Sequence, residues 1–377
     1  MSTHFFVFCA DLHLADGAWT SRPGIYGDSY YSLAQIVDYC VKHKLPMVMG
    51  GDVLDVKKNL ARPVQQLYLQ MSRMAAANLP VYYIQGQHEL DRHVTWLSVH
   101  PWPVNANKMS FEIAGVKLYG IDWLPRGEIQ EAFAQVPPTT DVLICHQVWK
   151  DLMKNIGRPE CHLSDVHHVK FVLSGDFHIT TIETAPNAQG ELTQLISTGS
   201  TCMQDISESS DKFFYVVGSN GSCLEVFPQQ LKTRRMKSYT VTDTNTLDDL
   251  CAGGFLRDIQ NMLEDLPPEI TKPLIRVKFD KTIPDAYIRI TTAIGDYAHL
   301  FCDALVNKNR GEQETNRAVT KNDLLTAVAE LLNNDSDAFN LASTLLAAES
   351  PAGELERQFT QFQNPEESKD AVIASGS

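Results

Sequence analysis

Five short stretches of this 377-residue chain set carboxylates, imidazoles and amides directly after apolar runs that read as β-strands. Asp11-Leu12-His13 follows the run Phe5–Ala10. Gly50-Gly51-Asp52-Val53-Leu54-Asp55 follows Leu45–Met49, and Gly86-Gln87-His88-Glu89 follows Val81–Ile84. His146-Gln147 follows Val142–Cys145, and Gly175-Asp176-Phe177-His178 follows Phe171–Ser174. A lone Asp or His at a strand end is commonplace. Five that converge on one edge of an α/β sheet, where ligands bind beyond the carboxyl ends of the strands, point to a site. In extended backbone, residues two apart face the same side, so Asp11/His13 and Asp176/His178 are each spaced as two ligands of one ion. Asp122 ends the run Val116–Ile121 without a partner and reads as structural.

The donor set narrows the ion. Carboxylates, imidazoles and an amide, with no thiolate, suit Mn²⁺, Fe²⁺ or Zn²⁺ in a reactive site rather than a structural zinc. Seven donors are too many for one ion, and two ions bridged by a carboxylate at about 3.5–4 Å fit them better. Such a pair acidifies a bridging water and neutralises charge on phosphate oxygens. Hydrolysis of a phosphate ester is the expected chemistry.

The elements that must hold these residues follow from periodicity. Leu33, Ile36, Val37, Cys40 and Val41 make one helical stripe, and Val64, Leu67, Tyr68, Met71 and Met74 another. With the strands around them this gives a β-α-β-α-β order, hence parallel strands with helices on the faces. From Phe111 the chain is richer in strands, including Val116–Ile121, Gln194–Ser197, Phe213–Val217 and Cys223–Phe227. The predicted class is α/β: a two-sheet β-sandwich flanked by helices over residues 1–230. A small α+β capping domain is expected over 231–308, with a helix in Thr246–Leu266 and strands at Leu274–Phe279 and Tyr287–Ile290. Helices are expected over 317–364, opened by the capping box Thr320-Lys321-Asn322-Asp323, and a disordered tail over 365–377.

Composition bounds the partners. The net charge of −14 disfavours indiscriminate binding to nucleic acid. A polymeric phosphodiester would need local basic clusters, for which Lys57/Lys58/Arg62, Lys150/Lys154/Arg158 and Lys232/Arg234/Arg235/Lys237 are candidates. The eight cysteines are scattered without a C-x-x-C pair and read as reduced thiols. No apolar run approaches the roughly 20 residues of a membrane span, and the first residues read as a strand rather than a signal peptide. A cytoplasmic protein with no membrane partner is expected.

Taken together, D-x-H, G-D-x-x-D, G-Q-H-E, a strand-end His and G-D-x-H resemble, in order and approximate spacing, the calcineurin-like metallophosphoesterases over about residues 5–227. Within them the chain looks most like the SbcD-like double-strand-break-repair nucleases, on the strand-His-Gln element Leu143–Gln147 and on Gly199-Ser200 followed by Glu208. The resemblance implies one ion on Asp11, His13, Asp52 and His178, and a second on Asp52, Gln87, His146 and Asp176. It implies His88 as general acid, positioned by Glu89. It further implies DNA as substrate, an SbcC-like SMC-type ATPase as partner docking on the C-terminal helices, and a homodimer.

Two positions depart from the family pattern. Gln87 stands where the family has Asn, and Asp176 where it has the first His of G-H-x-H. Three carboxylates in place of two favour a harder ion, Mn²⁺ or Mg²⁺ over Zn²⁺. The leading expectation is a Mn²⁺-dependent DNA nuclease subunit of an end-processing, repair or recombination complex. The alternatives are a small-molecule phosphodiesterase or phosphatase, and a catalytically silent partner-binding subunit.

Overall fold

The computed structural model describes residues 3–16, 24–55, 61–90, 100–153, 158–221, 223–264, 266 and 270–305. The helices expected over 317–364, the tail after them, and Lys57, Lys58 and Lys154 lie outside these residues. The described residues belong to one compact unit ending at Leu305.

The chain opens with β1 (Thr3–Cys9), α1 (Asp28–His43), β2 (Met47–Gly50), α2 (Ala61–Ala76) and β3 (Val81–Ile84), as the hydrophobic periods require. Next come β4 (Val104–Asn105), β5 (Ser110–Ile113), β6 (Val116–Gly120), α3 (Ile129–Ala134), β7 (Val142–His146), α4 (Lys150–Met153) and β8 (Phe171–Gly175). β9 (Thr181–Pro186), β10 (Leu192–Ser197), β11 (Lys212–Asn220) and β12 (Cys223–Leu231) complete two six-stranded sheets. Their orders are β12-β11-β1-β2-β3-β4 and β5-β6-β7-β8-β10-β9. In the first, β1 to β4 run parallel; in the second, β6, β7, β8 and β10 do. Parallel pairing brings the carboxyl ends of β1, β2 and β3 together in one sheet, and those of β7 and β8 in the other.

The central strands are buried on both faces, and alternation assigns each residue its layer. Phe6 and Phe8 of β1 point between the sheets, where they meet Val48, Ile84, Val142, Ile144, Leu173 and Ile196. Val7 and Cys9 point the other way and pack with Leu33, Ile36, Leu67 and Met71 of α1 and α2. On the second sheet, Leu143, Cys145, Val172 and Leu195 turn outward onto Ile129, Phe133 and Trp149. The result is a helix–sheet–sheet–helix stack, the two-sheet sandwich that the sequence predicts.

A third sheet, β13-β14-β15, is all parallel: β13 (Met236–Val241), β14 (Leu274–Phe279) and β15 (His299–Ala304). α5 (Thr244–Asp249), a π-turn and α6 (Phe255–Leu263) occupy the stretch expected to be helical. Residues 287–290, expected as a strand, instead lie in α7 (Ala286–Ile294). Tyr-Ile-Arg-Ile alternates over so short a window that a strand and a helix turn look alike. Ala286, Ile290 and Ile294 carry the helical spacing, and all three are buried against Val241, Ile275 and Val277. All eight cysteines are free, five of them buried, in keeping with reduced thiols. Among the described residues no helix is long and apolar enough to cross a membrane.

Candidate metal centre

The strand ends meet because glycine allows it. A Cβ on Gly86 would lie 2.0 Å from Asp52 Oδ1, and one on Gly51 would lie 2.4 Å from His146 Nδ1. Neither contact is sterically possible, so these glycines let the loops after β2, β3 and β7 close on one another.

Beyond β1 the backbone is not extended. Asp11 and His13 have φ of 52° and 45°, Asp52 49° and Asp176 75°, all in the left-handed region that L-residues avoid. The simple argument from extended spacing therefore fails at both pairs. Asp11 and His13 still converge, with His13 Nε2 3.9 Å from Asp11 Oδ1. Asp176 and His178 part: His178 turns to Asp11 and His13, while Asp176 Oδ1 accepts from Gln87 Nε2 at 2.7 Å. Interlocking backbone bonds hold the strained loop, from Asp11 N to Gly51 O, His13 N to Asp52 O, and Thr201 N to Asp11 O.

Every imidazole is anchored through Nδ1, with Nε2 turned inward. His13 Nδ1 lies 3.1 Å from Asp55 Oδ1. His146 Nδ1 donates to Gly50 O at 2.7 Å, and His178 Nδ1 lies 3.2 Å from Glu208 Oε1. His88 Nδ1 donates to Asp55 O at 2.5 Å. An acceptor on Nδ1 fixes the tautomer that leaves the Nε2 lone pair free for an ion. His13 Nε2 and His178 Nε2 come within 3.1 Å of each other, and His146 Nε2 within 3.3 Å of Asp52 Oδ2.

Three overlapping sets of donors have the spacing to hold an ion: Asp11/His13/His178, His13/Asp52/His88 and Asp11/Asp52/His146. The donors fit divalent cations on a direct observation. Asp52 Oδ2, His146 Nε2 and Gln87 Oε1 are buried lone-pair atoms with no hydrogen-bond partner. Buried polar atoms left unpaired each cost about 1–3 kcal/mol, a cost that divalent cations would remove at these three. The electrostatics agree. Burial pushes the Asp52 carboxyl up, but the His146 imidazole 3.3 Å away, with His13 beside it, outweighs that and holds it at about 2. Burial likewise disfavours a proton on His146, yet Asp52 and Asp11 raise that imidazole to about 10. The pocket demands positive charge.

All nine expected site residues are at this edge, in differing roles. Asp11, His13, Asp52, His146 and His178 fall in the donor sets, as does His88, whose side chain is 42% exposed. Gln87 and Asp176 form the amide–carboxylate pair already described. Glu89 was expected to position the His88 ring. Its carboxylate instead accepts from the backbone N–H groups of Leu54 (2.8 Å) and Gly86 (3.4 Å), so it ties the β2 and β3 loops together. Burial, then the charge of Asp52, pushes it up to about 8. Asp122 is structural, accepting from Gln85 N at 2.8 Å.

Two further residues complete the site: Asp55, which closes the G-D-x-x-D motif but was assigned no role from the sequence, and Lys212. Asp55 anchors His13 and, through its carbonyl, His88. Lys212 is only 2% exposed and donates to Ser200 Oγ at 2.7 Å and Glu208 Oε2 at 2.5 Å, behind His178. Glu208 had a signal in the Gly-Ser element. Lys212, the first residue of β11, had no signal in the sequence.

Residues 6–180 match the family profile of the calcineurin-like phosphoesterases. With the two-sheet sandwich and the His/Asp edge, they constitute a calcineurin-like metallophosphoesterase domain. Over 204 residues the chain is 24% identical to the DNA double-strand break repair protein Mre11 of Methanosarcina mazei, a match that takes in 50% of this chain and 32% of that one. The chain thus aligns with about a third of that relative's length. One solved structure aligns over 60% of this chain and 99% of its own, at 9% identity and a TM-score of 0.38, which carries no argument.

Proposed function

We propose that this protein is a two-metal phosphodiesterase acting on DNA, the nuclease subunit of an end-processing complex. One observation supports the two-ion reading: the three donor sets overlap, and the buried carboxylates Asp11 and Asp52 each belong to two of them, so shared donors lie between adjacent sites. Asp11, His13, Asp52 and His178 serve one ion. Asp52, His146 and Gln87, with Asp176 beside Gln87, serve the other. Bound there, divalent ions supply an acidified water and positive charge against phosphate oxygens. Oxygen donors and imidazoles without thiolate support Mn²⁺ or Mg²⁺.

The chain's own part in the reaction falls to His88. Its Nδ1 is committed to the Asp55 carbonyl, so the proton it can give is on Nε2, which faces Asp52 Oδ2 at 3.9 Å. It is the most exposed of the four imidazoles, and solvent and substrate reach it directly. An imidazole there suits protonation of a leaving alkoxide. DNA as substrate, an SMC-type ATPase partner and a homodimer rest on the likeness to the Mre11 relative and to the SbcD-like branch.

One observation favours the alternative of a small phosphodiester substrate. The basic cluster near Arg234 is largely neutralised: Arg234 pairs with Asp28, Arg235 with Asp211 and Lys237 with Asp258. The deciding experiment compares cleavage of end-labelled duplex and hairpin DNA with that of bis-p-nitrophenyl phosphate, in Mn²⁺, Mg²⁺ and chelator, for wild type and His88→Ala. Manganese-dependent DNA cutting that drops in the variant is expected. Turnover of the small ester without any cutting of DNA would hand the function to the alternative.

A further inference from the structure

We infer that Asp176 is a positioning residue for Gln87 rather than a ligand, so that the two departures from the family pattern form a single coupled replacement. The inference rests on the two-ion reading above. A carboxylate accepts and cannot donate, so the Gln87 atom 2.7 Å from Asp176 Oδ1 has to be the NH₂ group. The other branch of the amide, Oε1, is thereby turned away from Asp176. It is buried without a hydrogen-bond partner, as are Asp52 Oδ2 and His146 Nε2. Asp176 itself is in none of the three donor sets.

The chain length of Gln87 explains why an anchor is needed. Glutamine has one more rotatable bond than asparagine, and its terminal amide turns freely unless something holds it. Asp176 holds it. The residue is itself fixed at φ 75° by its backbone N–H, which donates to both carboxylate oxygens of Asp11 at 3.0 and 3.2 Å. One acidic side chain thus links the Asp11 end of the site to the amide at the other end. A histidine at 176 could not accept from this amide and also face an ion with the same nitrogen.

The test is a Mn²⁺ titration of metal-free protein by calorimetry, with Mn–Mn spin coupling read by electron paramagnetic resonance. Asp176→Gly removes the side chain while tolerating the positive φ. Asp176→Asn keeps an oxygen that accepts from Gln87 and tolerates the same backbone. Wild type is expected to bind two coupled ions. Asp176→Gly should weaken the second ion about 10–100-fold, the range for loss of a group that orients a ligand. Asp176→Asn should stay within about fivefold of wild type, and in a Gln87→Ala background Asp176→Gly should add nothing, as for groups that act as a unit. Equal losses in Asp176→Asn and Asp176→Gly, or additive losses in the Gln87→Ala background, would overturn the inference and leave the two-ion reading intact. Fewer than two ions on wild type would overturn both.

Discussion

Lys212 is the cation the site keeps for itself, and replacing it with methionine is the sharpest test of how the His178 side is built. Its ammonium is 2% exposed and bonded to Glu208 and Ser200. Glu208 is also buried for the most part, and it further accepts from His178 Nδ1, Ser200 Oγ (2.8 Å) and Gln204 N (3.3 Å). Burial pushes Glu208 up, but His178 and Lys212 outweigh it and keep the carboxyl at about 2. Removing one partner of a buried pair costs about 3–5 kcal/mol, because the other charge is stranded. Here three donors stay behind and methionine refills the stem, so the lower part of that range is expected, about 3–4 kcal/mol. Urea unfolding in chelator measures it without linkage to metal binding, as a fall in midpoint at unchanged slope. Lys212→Met/Glu208→Gln should recover more than half of the loss, since no charge is then left unpaired. A loss below about 1 kcal/mol, the value of a solvated surface pair, would show that water already screens these groups.

Other outcomes follow from the same geometry. His88→Ala should lower turnover by about 10²–10⁴-fold and leave the Mn²⁺ stoichiometry unchanged, because its half-exposed ring is read as the proton donor and not as a ligand; loss of an ion from this variant would move His88 among the ligands. Gly86→Ala would force a methyl into Asp52 Oδ1, so thermal melts should show destabilisation of about 1–3 kcal/mol or more, together with weakened metal binding; an unshifted melt would refute the steric reading. In metal-free protein, burial raises the Glu89 carboxyl from 4.5 to about 8, so its proton favours the folded state. That contribution is whole below pH 4.5 and is lost as pH rises to about 8, on the order of 5 kcal/mol in all; Glu89→Gln should flatten the slope, and parallel pH profiles would refute the assignment. Arg234→Lys should not restore what Arg234→Ala loses in stability, since the 3%-exposed guanidinium bonds both oxygens of Asp28 and the Lys272 carbonyl at once; equal melting points for Arg234→Lys and wild type would contradict this.

The layers of this fold were legible because each central strand is apolar on both faces and ends in glycine or a polar triplet. Phe5–Ala10 reads as a doubly buried strand from its short aromatic and β-branched run ending in a polar triplet, and the stripes of α1 and α2 supplied its cover. Residues 287–290 were misread because four alternating residues carry too little period to separate strand from helix. The site was legible as a set of residue types at strand ends, but its local geometry was not. Left-handed φ values at Asp11, His13, Asp52 and Asp176 depend on tertiary bonds that no local pattern encodes. Lys212 was invisible for a related reason: a lysine at the start of β11 is unremarkable until Glu208 and Ser200 are seen to bury it.

The strain and the charge at this edge have one explanation. Residues held in the left-handed region cost of order 1 kcal/mol or more each, and four of them stand within the site. Nothing in the core requires them, because β1 and β2 have already ended at Cys9 and Gly50. What they accomplish is direction. They turn Asp11 and Asp52 inward, fully buried, against imidazoles whose outer nitrogens are already engaged. Bringing carboxylates together on strained backbone in a dry pocket is unfavourable by itself, as the raised pKa of buried Asp11 records. Positive charge relieves it, from the proton that Asp52 and Asp11 hold on His146 or from bound cations in its place. The fold therefore stores, in the absence of metal, part of the free energy that metal binding releases, and chelation should lower stability most in the loops after β1, β2 and β8, where amide hydrogen exchange would detect it first.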